Sequence, residues 1–332
     1  MTPMTLLQGN RMNRARSFVA AGMLVLLPLV NQAESAPSSG FGVEPKQDRL
    51  VITHSGQHVT DFVFQDPVIL RPYFANIQAP GGVQVTRNHP PITGKDANDH
   101  DTMHPGLWLG FGDINGADFW RNKGRIEHVR FVEEPNVNAG RVNFATECRL
   151  QTADGKRIGM LENRFTLSAS PAGWLLVWDA AFHSEDGDLA FGDQEEMGLG
   201  ARVATPFIEK KGGEILSSRG QRMARVTWGQ PAAWCDYSGV ADGRRSGITL
   251  MADPSNFREC WWHNRDYGVF VANPFGRSAM KQGDKSTVLV KRGEKFRLRF
   301  GAMLHSTPME TKTDPSLFYR QFVDTGTDGA KP

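Results

Sequence analysis

The sequence predicts an all-β protein: a large antiparallel β-sandwich with one short C-terminal helix. Two observations carry the class. Runs of alternating apolar and polar residues recur along the chain, and a helical apolar stripe stands out only near its end. Turn formers are abundant, with 35 Gly and 19 Pro among 332 residues, which suits many short strands.

The chain opens on a targeting segment. Arg11, Arg14 and Arg16 precede an apolar run from Phe18 to Val30, with the small residues Ala33, Ser35 and Ala36 after it. A basic start, a short apolar run and small residues make a signal peptide. The run is too short for a comfortable membrane span. Residues 1–36 are therefore read as a signal, 37–41 as a linker, 42–324 as one β-sandwich domain and 325–332 as a loose tail. Cleavage removes three Arg and one Glu, bringing the net charge from +2 to zero. The protein is expected in the periplasm or secreted, with no stable membrane insertion afterwards.

After the linker, Arg49–His54, Val59–Phe64 and Gly82–Arg87 read as strands. The best-marked alternation is Arg141–Leu150, with Val142, Phe144, Cys148 and Leu150 on one face and Arg141, Asn143, Glu147 and Arg149 on the other. Asp154-Gly155 is a hairpin-type turn into Arg157–Leu167. Trp174–His183 repeats the pattern, so three runs form a meander with one apolar and one polar face. Ala232–Tyr237, Gly247–Ala252, Gly268–Ala272 and Lys295–His305 continue it. Asp314 as N-cap, Pro315 at the first position and the stripe Leu317, Phe318 and Phe322 predict the terminal helix.

Composition excludes some functions. Basic and acidic residues nearly balance at 38 and 36 with no basic tract, so nucleic acid is not an expected partner. The three cysteines, Cys148, Cys235 and Cys260, form no CxxC pair, and they read as small buried side chains. There is no Walker or GxGxxG loop, no GxSxG and no HExxH.

The densest chemistry lies in Asp99–Trp120, which holds two His, four Asp and two Trp. His100 and His104 sit in a turn-rich loop, where they can share general acid–base work. Alternatively they can ligate one divalent metal ion, which needs a third ligand such as His263, His305 or Glu147. Trp261–Gly276 supplies His263, Arg265 and Asp266, and Gln194–Arg202 supplies Glu195, Glu196 and Arg202. Neighbours in a strand point to opposite faces, so one of Glu195 and Glu196 is expected to enter a pocket. Structural readings stand beside these: a loop braced by hydrogen bonds, an Arg265–Asp266 ion pair, and tryptophans packed in a core.

Four blocks, Arg71–Pro91, His104–Trp120, Pro231–Gly239 and Trp261–Gly276, resemble one bacterial family often labelled "methane oxygenase PmoA". The resemblance runs from about Gly42 to Pro308. That family commonly carries a denser His cluster before its Leu-Trp strand, and this chain lacks an Arg and a His of that cluster in His100–Gly106. The label itself fails on physics, because a membrane monooxygenase subunit needs several apolar spans of about 20 residues. The resemblance implies an exported β-sandwich of carbohydrate-utilisation systems, with a fold similar to the galactose-mutarotase-like supersandwich.

The expected function is cleavage of a glycosidic bond, by hydrolysis or by elimination from an oxidised sugar. His104, His100 and His263 would transfer protons with Glu147 or Glu196. Arg149, Arg202, Arg265, Asp266 and His305 would bind substrate, and Trp108, Trp120 and Trp261 would stack on it. A mutarotase-like epimerase uses the same groups. A sugar-binding module would keep only the tryptophans, and a structural envelope protein would need none of these groups.

Overall fold

A computed structural model of the chain describes residues 39–311 and 313–327. The expected signal segment and the residues after 327 lie outside these. Among the described residues every strand pairing is antiparallel, and two sheets of eight strands dominate. The first sheet runs Phe41–Pro45, Arg49–His54, Gln57–Val63, Tyr73–Ala75, Leu107–Phe111, Met197–Arg202, Val269–Asn273, Trp261–Trp262. The second runs Glu214–Ser217, Trp234–Ala241, Arg244–Ala252, Phe296–Pro308, Gly173–His183, Arg157–Ser170, Arg141–Gln151, Arg125–Asn138.

Period-2 alternation builds the core between the sheets. Val142, Phe144, Cys148 and Leu150 are all buried there, as are Leu161, Phe165 and Leu167 from the next strand. From the first sheet Phe62 and Phe74 meet Phe144, Phe165 and Trp178, with ring centroids 4.9–5.7 Å apart. The expected meander is present. The Asp154-Gly155 turn returns the chain, with Gly155 at φ 82°, a conformation natural for glycine. The three cysteines are buried and free, and burial pushes all three thiols up.

The second sheet departs from one expectation. Its outer face is apolar over part of its area. Leu175, Val177, Met251 and Met303 point away from the sandwich core and pack under the helix Pro315–Thr327 through Phe318 and Phe322. The helix exists because that patch needs cover. The longest strand that the alternation does not reveal is Arg125–Asn138. It is charge-rich, contains Pro135, forms the sheet edge and is interrupted by three register shifts. Such features protect an edge and also erase the period-2 signal. Of the Gly82–Arg87 run, only Val83–Gln84 forms a strand, paired with Gln78–Ala79.

Candidate functional site

The outer face of the first sheet, turned away from the core, gathers most of the predicted chemistry. Leu107, Leu109 and Phe111 point inward, so Trp108 and Gly110 point outward. In the neighbouring strand Leu199 and Ala201 point inward, leaving Gly200 and Arg202 outward. The glycines leave room for indoles. A Cβ on Gly110 would come within 2.9 Å of Trp120, and one on Gly200 within 2.9 Å of Trp108.

Trp108 and Trp120 fill that room edge-to-face, with centroids 5.3 Å apart. His104 stacks on Trp108 at 5.1 Å and an interplanar angle of 18°. Both indoles are fully buried, so they floor the site and do not offer a sugar an open stacking face. Trp261 is also unavailable on one face, because the Arg258 guanidinium lies 5.2 Å from its centroid.

Two buried arginines hold this region. Arg87 donates from Nη1 to the carbonyls of Ala97 (2.9 Å) and Asp99 (2.7 Å), and from Nη2 to those of His100 (3.4 Å) and His104 (3.1 Å). Arg71 donates to the carbonyls of Met103 and Trp120 and to Asn122 Oδ1. Burial lowers both, to about 9 for Arg71 and about 10 for Arg87. A planar guanidinium suits this task because its donors diverge in a fixed fork.

Arg202 reaches Asp99 through two bonds of 3.0 and 2.9 Å and lies 4.7 Å from the Tyr267 ring centroid. His100 stands beside His104, with ring centroids 5.3 Å apart, and is itself half exposed. Burial first, then Arg202, His100, Arg71 and Arg87, pushes His104 well below its ordinary value of 6.5. His104 is thereby held as a neutral imidazole at pH 7, with Nδ1 buried and unpartnered.

His263 is the second buried imidazole of this face. Its Nδ1 is 3.0 Å from Glu195 Oε2, although the alignment falls short of a hydrogen bond. The same carboxylate oxygen accepts from Arg265 Nη2 at 2.7 Å. Burial lowers His263, opposed by Glu195 and assisted by Arg265 and Arg121. Beside it, Glu196 is paired with Arg121. Glu195 and Glu196 thus both pair within one neighbourhood. They occupy a bend just before the strand, where strict alternation does not apply. Arg265 also links the two halves of the site. Burial raises the Tyr267 hydroxyl, and Arg265 and Arg202 draw it back. A cavity of about 670 Å³ adjoins this cluster, with Arg121, Asp118 and Gln194 in its wall. That volume is typical of small-ligand sites.

Other predicted residues lie elsewhere. Glu147 and Arg149 are on the second sheet, paired with Arg130 (3.0 Å) and Glu127 (2.8 Å), as solvent-side cross-strand pairs do. His305 also belongs to the second sheet, fully buried, with Nε2 2.8 Å from Asp236 and Phe318 of the helix against its ring. Asp266 does not pair with Arg265; it is exposed, with Lys210 Nζ 3.8 Å away. The expected metal set is not assembled: among the described residues no group of three or more His, Cys, Asp or Glu side chains is arranged to hold an ion. The third candidate ligands fail for different reasons: Glu147 and His305 belong to the other sheet, and His263 faces Glu195. Sequence reasoning missed Arg71, Arg87, Arg121 and Trp228. Only the presence of Arg71 and Arg87 in the Arg71–Pro91 block signalled the first two.

The family is decided by a match over residues 49–318. The chain belongs to DUF6807, a family of unknown function. Among curated proteins no relative matches this DUF6807 chain. Solved structures similar to it include a galactose mutarotase-like protein from Lactobacillus casei ATCC 334, at 9% identity and TM-score 0.34, covering 80% of this chain and 100% of that one. A galactose mutarotase related enzyme from Lactobacillus acidophilus is similar at 11% identity and TM-score 0.32, covering 82% and 100%. A beta-arabinopyranosidase is similar at 8% identity and TM-score 0.33, covering 80% of this chain. The DUF6807 chain spans 38% of that enzyme's length. At these scores the likeness assigns no residue of the DUF6807 site. No described helix is long and apolar enough to cross a membrane.

The buried histidines make one behaviour calculable in sign. In the folded state His104 and His263 are held below 6.5, whereas in the unfolded chain they titrate near it. The unfolded chain therefore binds more protons below pH 6.5. Stability from these groups is complete above that pH and is lost as pH falls. The carboxylates with lowered values, such as Asp99 and Asp236, act only closer to their ordinary value of 3.8. The melting temperature should fall between about pH 6.5 and 5, and His104→Gln should flatten the decline. A melting temperature constant across that window would mean that these imidazoles do not stay neutral in the fold.

Proposed function

We propose that this protein is an exported carbohydrate-active enzyme whose working face is the outer side of the first sheet, with His263 and Glu195 as its proton-transfer pair. The observation that carries this reading is the buried His263 imidazole lying 3.0 Å from Glu195 on a face that also presents Arg265, Arg121 and Glu196. A neutral imidazole is a base, and its lowered proton affinity keeps it neutral at pH 7. Arginines nearby offset negative charge that develops on a substrate.

The same electrostatics favour elimination over hydrolysis as the route to glycosidic cleavage. Acid-catalysed hydrolysis needs a carboxyl group that stays protonated near neutrality. His263 first, with Arg265 adding to it, holds the Glu195 carboxyl below its ordinary range. In elimination, His263 takes the proton from the carbon next to a carbonyl or carboxylate, and the C–H electrons form the C=C bond. The glycosidic oxygen on the following carbon leaves with its bonding pair and takes a proton from water, the resulting hydroxide being neutralised by the proton that His263 later releases. His104 and Arg202 lie buried under the other half of the face, where Arg202 fixes the loop through Asp99. The test is turnover of oxidised oligosaccharides, read as new ultraviolet absorbance from the unsaturated product, in the native chain and in His263→Ala.

Export is part of this reading, supported by Arg11, Arg14 and Arg16 before the Phe18–Val30 run. Protein purified from its native host should have an intact mass corresponding to a start between Glu34 and Pro37. A soluble cytoplasmic form with its full N-terminus would sink the export proposal.

A further inference from the structure

Trp228 lies outside every motif discussed above, yet it touches the proposed site through Arg265. The Arg265 guanidinium carbon is 5.9 Å from the Trp228 ring centroid, and Lys281 Nζ is 5.6 Å from it. Lys281 follows Met280, whose carbonyl lies against Gly229, so the 276–281 turn is packed on the residue after Trp228. The Lys281 side chain is exposed, and its ammonium has no ion pair or hydrogen bond among the described residues. Trp228 is half-buried, and its indole Nε1 is buried without a hydrogen-bond partner.

These three groups share one property. An indole N–H donates and cannot accept, an ammonium only donates, and a guanidinium only donates. Arg265 uses Nη2 on Glu195 and has further donors. A buried donor left unpaired is costly, whereas donors around an acceptor-rich anion are satisfied together. Neutral hydroxyls both donate and accept, so they gain less from an all-donor site than an oxoanion does.

We propose that Trp228 Nε1, Lys281 and Arg265 form an oxoanion subsite, which selects saccharides carrying a carboxylate or a sulfate ester. The inference rests on the reading of the His263 face as a carbohydrate site and names the class of sugar it takes. Arg265 joins the two, holding Glu195 with one donor while its guanidinium lies against the Trp228 ring. An anionic substituent held there places the adjoining ring beside His263.

The experiment is calorimetric binding of three probes with the same ring, glucuronate, glucose 6-sulfate and glucose, to the mature chain. At least one anionic probe should bind about tenfold more tightly than glucose, and the tighter of the two identifies the oxoanion. Lys281→Ala, on an exposed side chain, should remove most of that preference without lowering the melting temperature. Trp228→Phe keeps the ring, removes the N–H and should weaken anion binding in the same direction. Added salt should reduce the preference. Equal binding of all three probes, no binding of any, or an anion preference unchanged in both variants overturns the subsite. His263→Ala separates the two claims. It should keep the anion preference while losing turnover, so a failed preference with His263-dependent turnover sinks only the subsite.

Discussion

His263→Ala is expected to lower turnover by roughly 10²–10⁴-fold, the range for loss of a positioned proton-transfer group. The side chain is almost fully buried, so truncation also removes packing, and Glu195→Gln provides the cleaner companion. That change keeps shape and removes the charge that opposes the lowering of His263. With Glu195 neutral, Arg265 and Arg121 act on His263 without that opposition, and its proton affinity falls further. The acid limb of the pH–rate profile should therefore move to lower pH in Glu195→Gln. A profile unmoved by Glu195→Gln, together with near-native turnover in His263→Ala, would remove His263 from the chemistry. The base would then be sought at His104, the other neutral imidazole of the same face.

Arg87→Met is expected to give the largest loss of stability on this face. The substitution keeps much of the volume but strands the carbonyls of Ala97, Asp99, His100 and His104. Each buried acceptor left without a donor costs about 1–3 kcal/mol, and partial access of water to this loop lowers the sum. A net cost on the order of 3 kcal/mol would lower the melting temperature by roughly 4–5 °C for a chain of this size, whose unfolding entropy is about 2.1 cal/mol/K per residue. Arg87→Lys should not restore it, because one ammonium cannot span carbonyls that a guanidinium fork reaches. The segment 97–104 should also become cleavable by protease under native conditions. A melting temperature within 2 °C of native in Arg87→Met would show that the loop holds itself, through turns such as His104 N to His100 O.

The two variants probe different layers of one design. Arg87 and Arg71 act on backbone carbonyls and fix where the loop sits. His263, Glu195 and Arg265 act on one another at the surface of that frame. His104 belongs to both layers, since Arg87 holds its carbonyl while its ring stacks on Trp108.

What the sequence determined by itself was the alternating strands at 141–150, 157–167, 174–183 and 295–305 and their inner faces. Val142, Phe144, Cys148 and Leu150 declare their side by alternation, and Asp314-Pro315 declares where the helix begins, because both signals span only a few residues. It also supplied His104, His263, Arg202, Arg265 and Glu196, all of which the structure brings to one face. It could not separate them from Glu147, Arg149 and His305, which look equally reactive in an alternating strand. That choice depends on strand order. The face exists because Leu107–Phe111, Met197–Arg202 and Val269–Asn273 are neighbours although some 85 and 65 residues apart in the chain. Their pairing is a long-range contact that no local period encodes. Burial was decided at the same level. Trp108 is a floor and not a platform only because Gly200, on another strand, leaves room for its ring and His104 covers it. The low proton affinity of His104 follows from that burial and from arginines at positions 71, 87 and 202, which meet only once the sheet has formed.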